Sequence, residues 1–559
     1  MVREQHTSSD YRFAPHERPM MPGSPATPDH PLRRRVGYFA AGILIGLTGG
    51  FVNGLLTANL PQIQGALGLT SEEAGWLTAA YSMTNVCMSL LLIKFRQQFG
   101  IQRFTRIFLF AFLILNVVQL FVHSYGTELI VRAASGVVAS GLSTLGLFYF
   151  MQAMPAKWRL KGLVLGIGVS QVALPLARVI SPALLVSGDI QNLFLFELGL
   201  TLLSLAAVSL LRLPPSERIE AFEPIDFLTF AFFAPGIALL CAILVQGRIV
   251  WWSTPWIGYA LAASIVLIGI ALIIEHNRAN PLLNTRWLAS ADVVRFAIVA
   301  ASMRLLLSEQ NFGASGLLAV VGMGQEQLVP FYAVVTGATV LGLIASMIFL
   351  NPMDLLRPVA FSCGLIAVAA FLDADSSNLT RPAQLYLTQA MIAFAAIYFM
   401  GPTMLSGVLH ALAKGPSHIV SFAAIFGISQ QLGGIGGASL LGTFQTVRER
   451  FHSEMLAQSI LPTDPQVALR LQQLGGAYSR TLGDPALRQA EGAVLLSQQV
   501  SREAAILAFN DVFLLIGSIA TIGLVYLLGR WTYFTIKGIN PLANELAAMA
   551  AMRERAASA

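Results

Sequence analysis

The chain has 559 residues, of which 55% are hydrophobic and only 11% charged, with a mean hydropathy of +0.67. That balance excludes a soluble globular protein, because too little of the chain is polar enough to face water. The net charge of +6 matters less than its placement, since Lys and Arg in short loops orient membrane helices.

Residues 1–36 hold no apolar stretch of signal-peptide character and end in the basic cluster Arg33, Arg34, Arg35; they read as a disordered cytoplasmic tail. Beyond them, apolar stretches of roughly 20 residues, the length that crosses a hydrocarbon core, recur fourteen times. They fall at 38–60, 74–95, 104–122, 129–151, 163–186, 193–211 and 227–246, then at 255–274, 293–320, 328–350, 359–372, 385–409, 419–444 and 505–528. Alternate loops carry the cations: Lys94, Arg96, Arg103 and Arg106; Lys157, Arg159 and Lys161; Arg212 and Arg218; Arg278 and Arg286; Arg357; Lys414; Arg530 and Lys537. The intervening loops are acidic or neutral, so the basic set faces the cytoplasm and both termini lie inside. Cys87, Cys241 and Cys363 sit within apolar stretches, where a thiol acts as a small hydrophobe and implies no disulfide framework.

The connection from 446 to 502 is the one long outer loop. "TDPQVALRLQQL" and "GDPALRQAEGAVLL" each set an Asp before a Pro, Asp464 with Pro465 and Asp484 with Pro485, the N-cap and first-turn residues of a helix. A small helical element outside the membrane is expected there.

Ionisable groups inside the spans are the best pointers to a site, each costing about 2.5–3.5 kcal/mol to insert. Arg132, Arg178, Arg304 and Glu309 are the candidates, against the plainer reading of structural ion pairs between packed helices. On an ideal helix Arg304, Ser308, Asn311 and Ser315 form one stripe, whereas Glu309 points about 140° away from Arg304. The two charges are therefore not an intrahelical pair, and each needs a partner on another helix. Glu128 and Glu197 lie close enough to span ends that snorkelling or capping is expected. Asn85, Asn116, Gln119, Gln171, Gln389, Gln430 and Gln431 either line a polar path or tie helices together, while "GVVASG" at 136–141, Gly166, Gly168 and "GGIGGAS" at 433–439 read first as close helix packing.

The order of spans, "WLTAAY" at 76–81, "RAASG" at 132–136, Ile225 with Asp226, "NPLL" at 280–283 and "NDVF" at 510–513 after the long outer loop together resemble the fourteen-span drug:proton antiporter branch of the major facilitator superfamily, the EmrB/QacA type. The resemblance covers nearly the whole chain from Arg35 to Leu528. It implies an all-α polytopic fold: an N-terminal six-helix bundle over 37–212, two inserted linker helices over 213–290, a C-terminal six-helix bundle over 291–529 that includes the loop 446–502, and a cytoplasmic tail over 530–559. The bundles would rock around a central site by alternating access. It further implies proton handling by Arg132 and, for a Gram-negative host, a periplasmic adaptor protein docked on the outer loop. The pattern is altered in places: Val52 stands where the family has an acid in its first helix, leaving Asn53 and Asn59; Gln97 replaces the gating Asp; Arg178 enters the Gly- and Pro-rich fifth span. Asp354 and Arg357 keep an echo of the gating loop after the tenth span.

No metalloprotease, Walker or nucleophile-elbow motif occurs in a suitable context, so an enzyme is not expected, nor a cofactor, a metal or a nucleic-acid partner. The reading is a secondary active transporter of the bacterial inner membrane, coupled to protons and exporting amphipathic organic compounds; an uptake permease or a non-transporting receptor of the same fold are the alternatives. Arg132, Arg178 and Arg304 outweigh Glu309, which favours anionic substrates. Glu309 and Arg132 are assigned to proton coupling, and Arg304, Arg178, Asn53 and Asn311 to the small-molecule substrate.

Overall fold

A computed structural model describes residue 17, residues 23–538 apart from 123, 156, 157, 187, 279, 352 and 462, and residues 543 and 547. Lys157 and most of both expected tails lie outside these residues. Regular structure among the described residues is helical apart from an isolated bridge between Pro25 and Ser216. In chain order the helices are α1 Leu32–Ala58, α2 Leu60–Leu67, α3 Ser71–Phe99, α4 Ile101–Gln119, α5 Tyr125–Ala153, α6 Arg159–Leu184 and α7 Gln191–Leu210. Then come α8 Pro224–Gln246, α9 Pro255–His276, α10 Thr285–Leu288, α11 Ala291–Ser308, α12 Ser315–Val320, α13 Val329–Ile348, α14 Leu356–Asp373, α15 Tyr386–Tyr398 and α16 Met400–Lys414. The last three are α17 Pro416–Ser459, α18 Pro465–Gly476 and α19 Pro485–Lys537.

Twelve helical segments among the described residues are long and apolar enough to cross a membrane. The expected thirteenth span forms the first part of α17. The expected ninth is divided: α11 passes into a π-helical turn, Glu309–Ala314, before α12 resumes. Helix starts follow their capping chemistry. Thr70 and Glu73 form a reciprocal capping box at α3, and Asp464 and Asp484 accept the Gln466 and Ala486 amides at 2.8 and 2.9 Å. Chain reversals at Gly100 (φ 78°) and Gly415 (φ 120°) use backbone angles that side chains resist.

In the N-terminal bundle α1 packs on α5 and α6, and α3 packs on α5 and α8. Glycine permits the closest approaches: a Cβ on Gly136 would lie 2.3 Å from the Tyr81 carbonyl oxygen, and one on Gly166 would lie 2.5 Å from the Leu147 Cα. The two bundles meet at the face that carries the termini through one apolar cluster. Leu92, Phe148 and Met151 join Met404, Val408 and Phe422 there. Toward the opposite face the ties between bundles include polar ones, such as the Gln325 amide donating to the Ala58 carbonyl at 3.0 Å, beside the packing of Val179 on the Phe331 and Val335 cluster.

α17 has 44 residues and α19 has 53, about 66 and 80 Å at 1.5 Å per residue against a core of about 30 Å. Their extensions and α18 build the helical element expected from the two Asp-Pro signals. α18 lies directly on α19, because a Cβ on Gly475 would meet the Arg488 carbonyl oxygen at 2.3 Å and one on Gly492 the Leu471 carbonyl oxygen at 2.4 Å. Gly492→Val is expected to pry this hairpin open at a cost of about 1–3 kcal/mol, read as faster proteolytic cleavage in 463–489 with the spans still protected.

The segment 23–30 departs from the disorder expected of the tail. Ser24, Ala26, Thr27 and His30 are buried. The Ala26 amide donates to the Pro215 carbonyl at 2.9 Å, Gln152 donates to the Ala26 carbonyl at 2.8 Å, and Arg159 donates to the Thr27 carbonyl at 2.6 Å. A polar, Pro-rich stretch offers no periodicity to read, yet its backbone groups find partners at the helix ends. Burial lowers the His30 pKa below its ordinary 6.5; the hydrogen bond with Gln152 opposes that, and Arg34, Arg35 and Arg159 add to it. The folded state therefore holds His30 neutral, and the unfolded segment binds protons more readily. This contribution is present above pH 6.5 and is lost as pH falls through the lower folded value. Amide exchange in 23–30 should accelerate on acidification, and a His30→Gln variant should lose that pH dependence.

Candidate functional site

Between the bundles lies a cavity of about 220 Å³. α1 contributes Asn53, α3 Tyr81 and Asn85, α6 Gln171 and Arg178, and α17 Gln431. The divided span contributes Arg304 from α11 and Gln310 and Asn311 from the π-turn, and α13 contributes Tyr332. All four residues assigned to substrate from the sequence, Asn53, Arg178, Arg304 and Asn311, meet here. Among the described residues the lining includes two guanidinium groups and no carboxylate.

Among the described residues, each arginine is held without an acid. Arg178 donates to Ser315 Oγ at 2.8 Å and to Tyr332 Oη at 2.5 Å, with its guanidinium 4.7 Å from the Tyr332 ring centroid. Arg304 Nε donates to the Gln430 carbonyl at 3.2 Å. The Arg304 side chain crosses the glycines of α17: a Cβ on Gly433 would lie 3.0 Å from its Cγ, and one on Gly434 would lie 3.2 Å from its Nε. The "GGIGGAS" stretch thus packs closely as expected, and what it seats is the arginine.

Glu309 opens the π-turn and is fully buried. As the sequence geometry required, it does not pair with Arg304. Its partner on another helix is an amide: Gln389 Nε2 donates at 2.9 Å to Glu309 Oε1 and at 2.9 Å to Asp373 Oδ2. Asp373 lies one residue beyond the span expected at 359–372, where hydropathy turns polar. It is the last residue of α14 and is 2% exposed.

Arg132 lies apart from the cavity. It is buried, with Nε donating to Glu128 Oε1 at 2.8 Å and a terminal nitrogen to the Val52 carbonyl at 3.1 Å. Gln119 donates to both Glu128 oxygens at 3.0 Å. Glu128 and Glu197 do not snorkel, being 1% and 6% exposed; hydropathy reports depth along a span but not which face meets a neighbour. Of the other amides, Asn85, Gln171 and Gln431 line the cavity, whereas Asn116 ties α4 to Thr201 of α7 at 3.2 Å.

The motif residues at the inserted pair are structural. Asp226 takes Lys94 at 2.6 Å and Arg278 at 2.8 Å, and Arg278 also reaches Glu223 at 2.8 Å and Glu275 at 2.7 Å. The Leu282 and Leu283 amides of "NPLL" close on Glu275. Burial works against the Arg278 charge, but its hydrogen bonds to Glu223, Glu275 and Asp226 outweigh it and hold its pKa above the ordinary value. Asp354 and Arg357 pair at 2.8 Å, while Gln97, at the gating-acid position, is buried.

The chain is 22% identical to the multidrug export protein EmrB of Escherichia coli K12, over 81% of this chain and 87% of that one. It is 25% identical to the puromycin resistance protein pur8 of Streptomyces alboniger, over 74% and 81%. The crystal structure of the human organic anion transporter MFSD10 matches with a TM-score of 0.52 at 15% identity, covering 88% of this chain and 100% of that chain, a likeness of fold. The Major Facilitator Superfamily model matches residues 42–438. The chain is accordingly a transporter and not an enzyme, and it belongs to the Major Facilitator Superfamily.

Proposed function

We propose that this protein is a proton-coupled exporter of amphipathic organic anions, working by alternating access in a bacterial inner membrane with both termini in the cytoplasm. The observation that carries this reading is the cavity wall, where Arg178 and Arg304 face the space and no carboxylate balances them. A low-dielectric cavity of that sign attracts anions, and its amides and hydroxyls suit the polar part of a substrate while Leu174, Leu307 and Met400 offer a smaller apolar surface. The name of EmrB, a multidrug export protein, supports export. The apolar seam on the cytoplasmic side and the polar ties on the outer side are the two closures that alternating access would break in turn. Glu309 is the group assigned to the proton.

Proteoliposome flux of an aromatic carboxylate under an imposed pH gradient tests the reading. Uphill movement that collapses with the gradient supports it; binding without flux would mark a receptor, and preference for a lipophilic cation would reverse the charge argument. A deletion strain hypersensitive to amphipathic acids supports export over uptake.

The hairpin of α18 and α19 suits a periplasmic adaptor protein that extends the export path. Deleting 463–489 should leave flux in proteoliposomes intact and remove resistance in cells; unchanged resistance would exclude the adaptor.

A further inference from the structure

The Glu309, Gln389 and Asp373 cluster holds more acceptors than donors. The Gln389 amide nitrogen has two hydrogens, and the two carboxylates take both. Glu309 Oε2 and Gln389 Oε1 are then buried without a partner. A buried acceptor left alone is costly, and here two lie within one connected group. A hydrogen on Glu309 Oε2 is the donor that this group lacks.

The surroundings supply no cation instead. Neither carboxylate has a Lys, Arg or His within ion-pair distance among the described residues. The charged groups on the packed elements lie elsewhere: Arg304 of α11 rests on the Gln430 carbonyl at 3.2 Å and lines the cavity. Asp511 of α19 takes Arg448 and His452 at 2.6 Å each, and Glu503 accepts from Asn378 at 2.6 Å. Arg381 donates to the Asn378 and Thr380 carbonyls at 3.0 Å, Arg248 lies 5.2 Å over the Phe312 ring, and Asp375 is exposed. What faces the pair is Gln389, the Thr388 side chain of α15 and the Phe513 ring of α19.

We propose that Glu309 and Asp373 are a single proton site, one proton held between two carboxylates with the Gln389 amide bridging them. This rests on the proton-coupled reading above and adds Asp373 and Gln389 to it. The cluster also has a mechanical outlet. Gln310, next to Glu309 in the π-turn, donates to the Gln389 carbonyl at 3.1 Å and lines the substrate cavity, while its own carbonyl accepts from Ser315, which holds Arg178. One glutamine therefore touches both acids and the residue that reaches the cavity. Single-turn π-bulges within α-helices are rare and frequent at functional sites, and a change of register there would turn Gln310 and Asn311 relative to the cavity.

The test is an infrared pH titration of carboxyl bands in the purified full-length protein reconstituted in proteoliposomes. Two carboxylates sharing a proton titrate as a pair, in two macroscopic steps that belong to neither alone. Wild type should show both steps, whereas Glu309→Gln and Asp373→Asn should each leave one step, at a midpoint matching neither. Asp373→Glu, which keeps the charge and guards against a folding defect, should keep two. If Asp373→Asn leaves the Glu309 step where it was, the acids are independent and the proposal falls. Gradient-driven flux of an aromatic carboxylate, measured on the same samples, separates the two readings. A paired titration with no proton-driven flux in wild type overturns coupling but not the site. Proton-driven flux that Asp373→Asn reduces about tenfold, together with the paired titration, supports both.

Discussion

Arg304→Ala is expected to weaken binding of amphipathic carboxylates by about 10- to 100-fold, the equivalent of one charge-assisted hydrogen bond worth about 1.5–3 kcal/mol. The size follows from how the side chain is held. Only its Nε is engaged, on the Gln430 carbonyl at 3.2 Å, so a guanidinium terminus with no acid partner faces the cavity. Its position is fixed by the glycines of α17, where any larger residue would enter the volume it occupies. Arg304→Lys should recover only part of the loss, because an ammonium cannot present the planar fork to a carboxylate. Equilibrium binding of an aromatic carboxylate to the detergent-purified protein, with an uncharged analogue of similar size as the control, measures both variants. An equal loss for the uncharged analogue would show that the alanine collapses the cavity, and the charge argument would fail.

Much of this site was legible because apolar sequence makes charge conspicuous. Arg178, Arg304, Asn53 and Asn311 stand out in stretches where every polar group costs energy, and all four line one cavity. The mutual independence of Arg304 and Glu309 followed from helical geometry alone. The partners did not follow, because which faces of separate helices meet is a tertiary fact. Asp373 sits where hydropathy has already turned polar, so nothing local distinguishes it from the exposed Asp375 two residues later. Arg132 shows the converse. Its family pattern is intact, yet its carboxylate partner is Glu128 on the same helix, one turn away at 2.8 Å, so it stands in the wall of the N-terminal bundle. The helical membrane fold was legible from span length, except where the signal is an interruption: the π-turn leaves no mark in a hydropathy profile.

Glu309→Gln should abolish the dependence of transport on the pH gradient while leaving substrate binding unchanged. Binding is spared because Glu309 does not line the cavity; the neighbours that do, Gln310 and Asn311, are unaltered. Coupling is lost because a glutamine has the shape and neutral charge of a protonated glutamate, so the head of the π-turn is fixed in its loaded form even while Asp373 still titrates. The coupling free energy at stake between two sites on one protein is about 1–3 kcal/mol, or about 5- to 150-fold in the ratio of substrate affinities between loaded and unloaded states. That ratio should fall to one, and exchange of substrate for substrate, which needs no net proton movement, should persist. The placement of Glu309 at the head of the π-turn explains why the effect reaches the cavity. A change in its partner Gln389 is felt at Gln310 through the 3.1 Å contact, and from Gln310 at Ser315 and Arg178, which bind across the two bundles. Arg178→Ala should therefore show the opposite separation: weaker binding, with the remaining flux still driven by the gradient. Flux of an aromatic carboxylate in proteoliposomes, with and without a pH step, measures both variants. Wild-type gradient dependence in Glu309→Gln would reduce the buried acid to a structural tie between α11, α14 and α15, and coupling would then have to be sought at Glu197 and the Glu128–Arg132 pair of the first bundle.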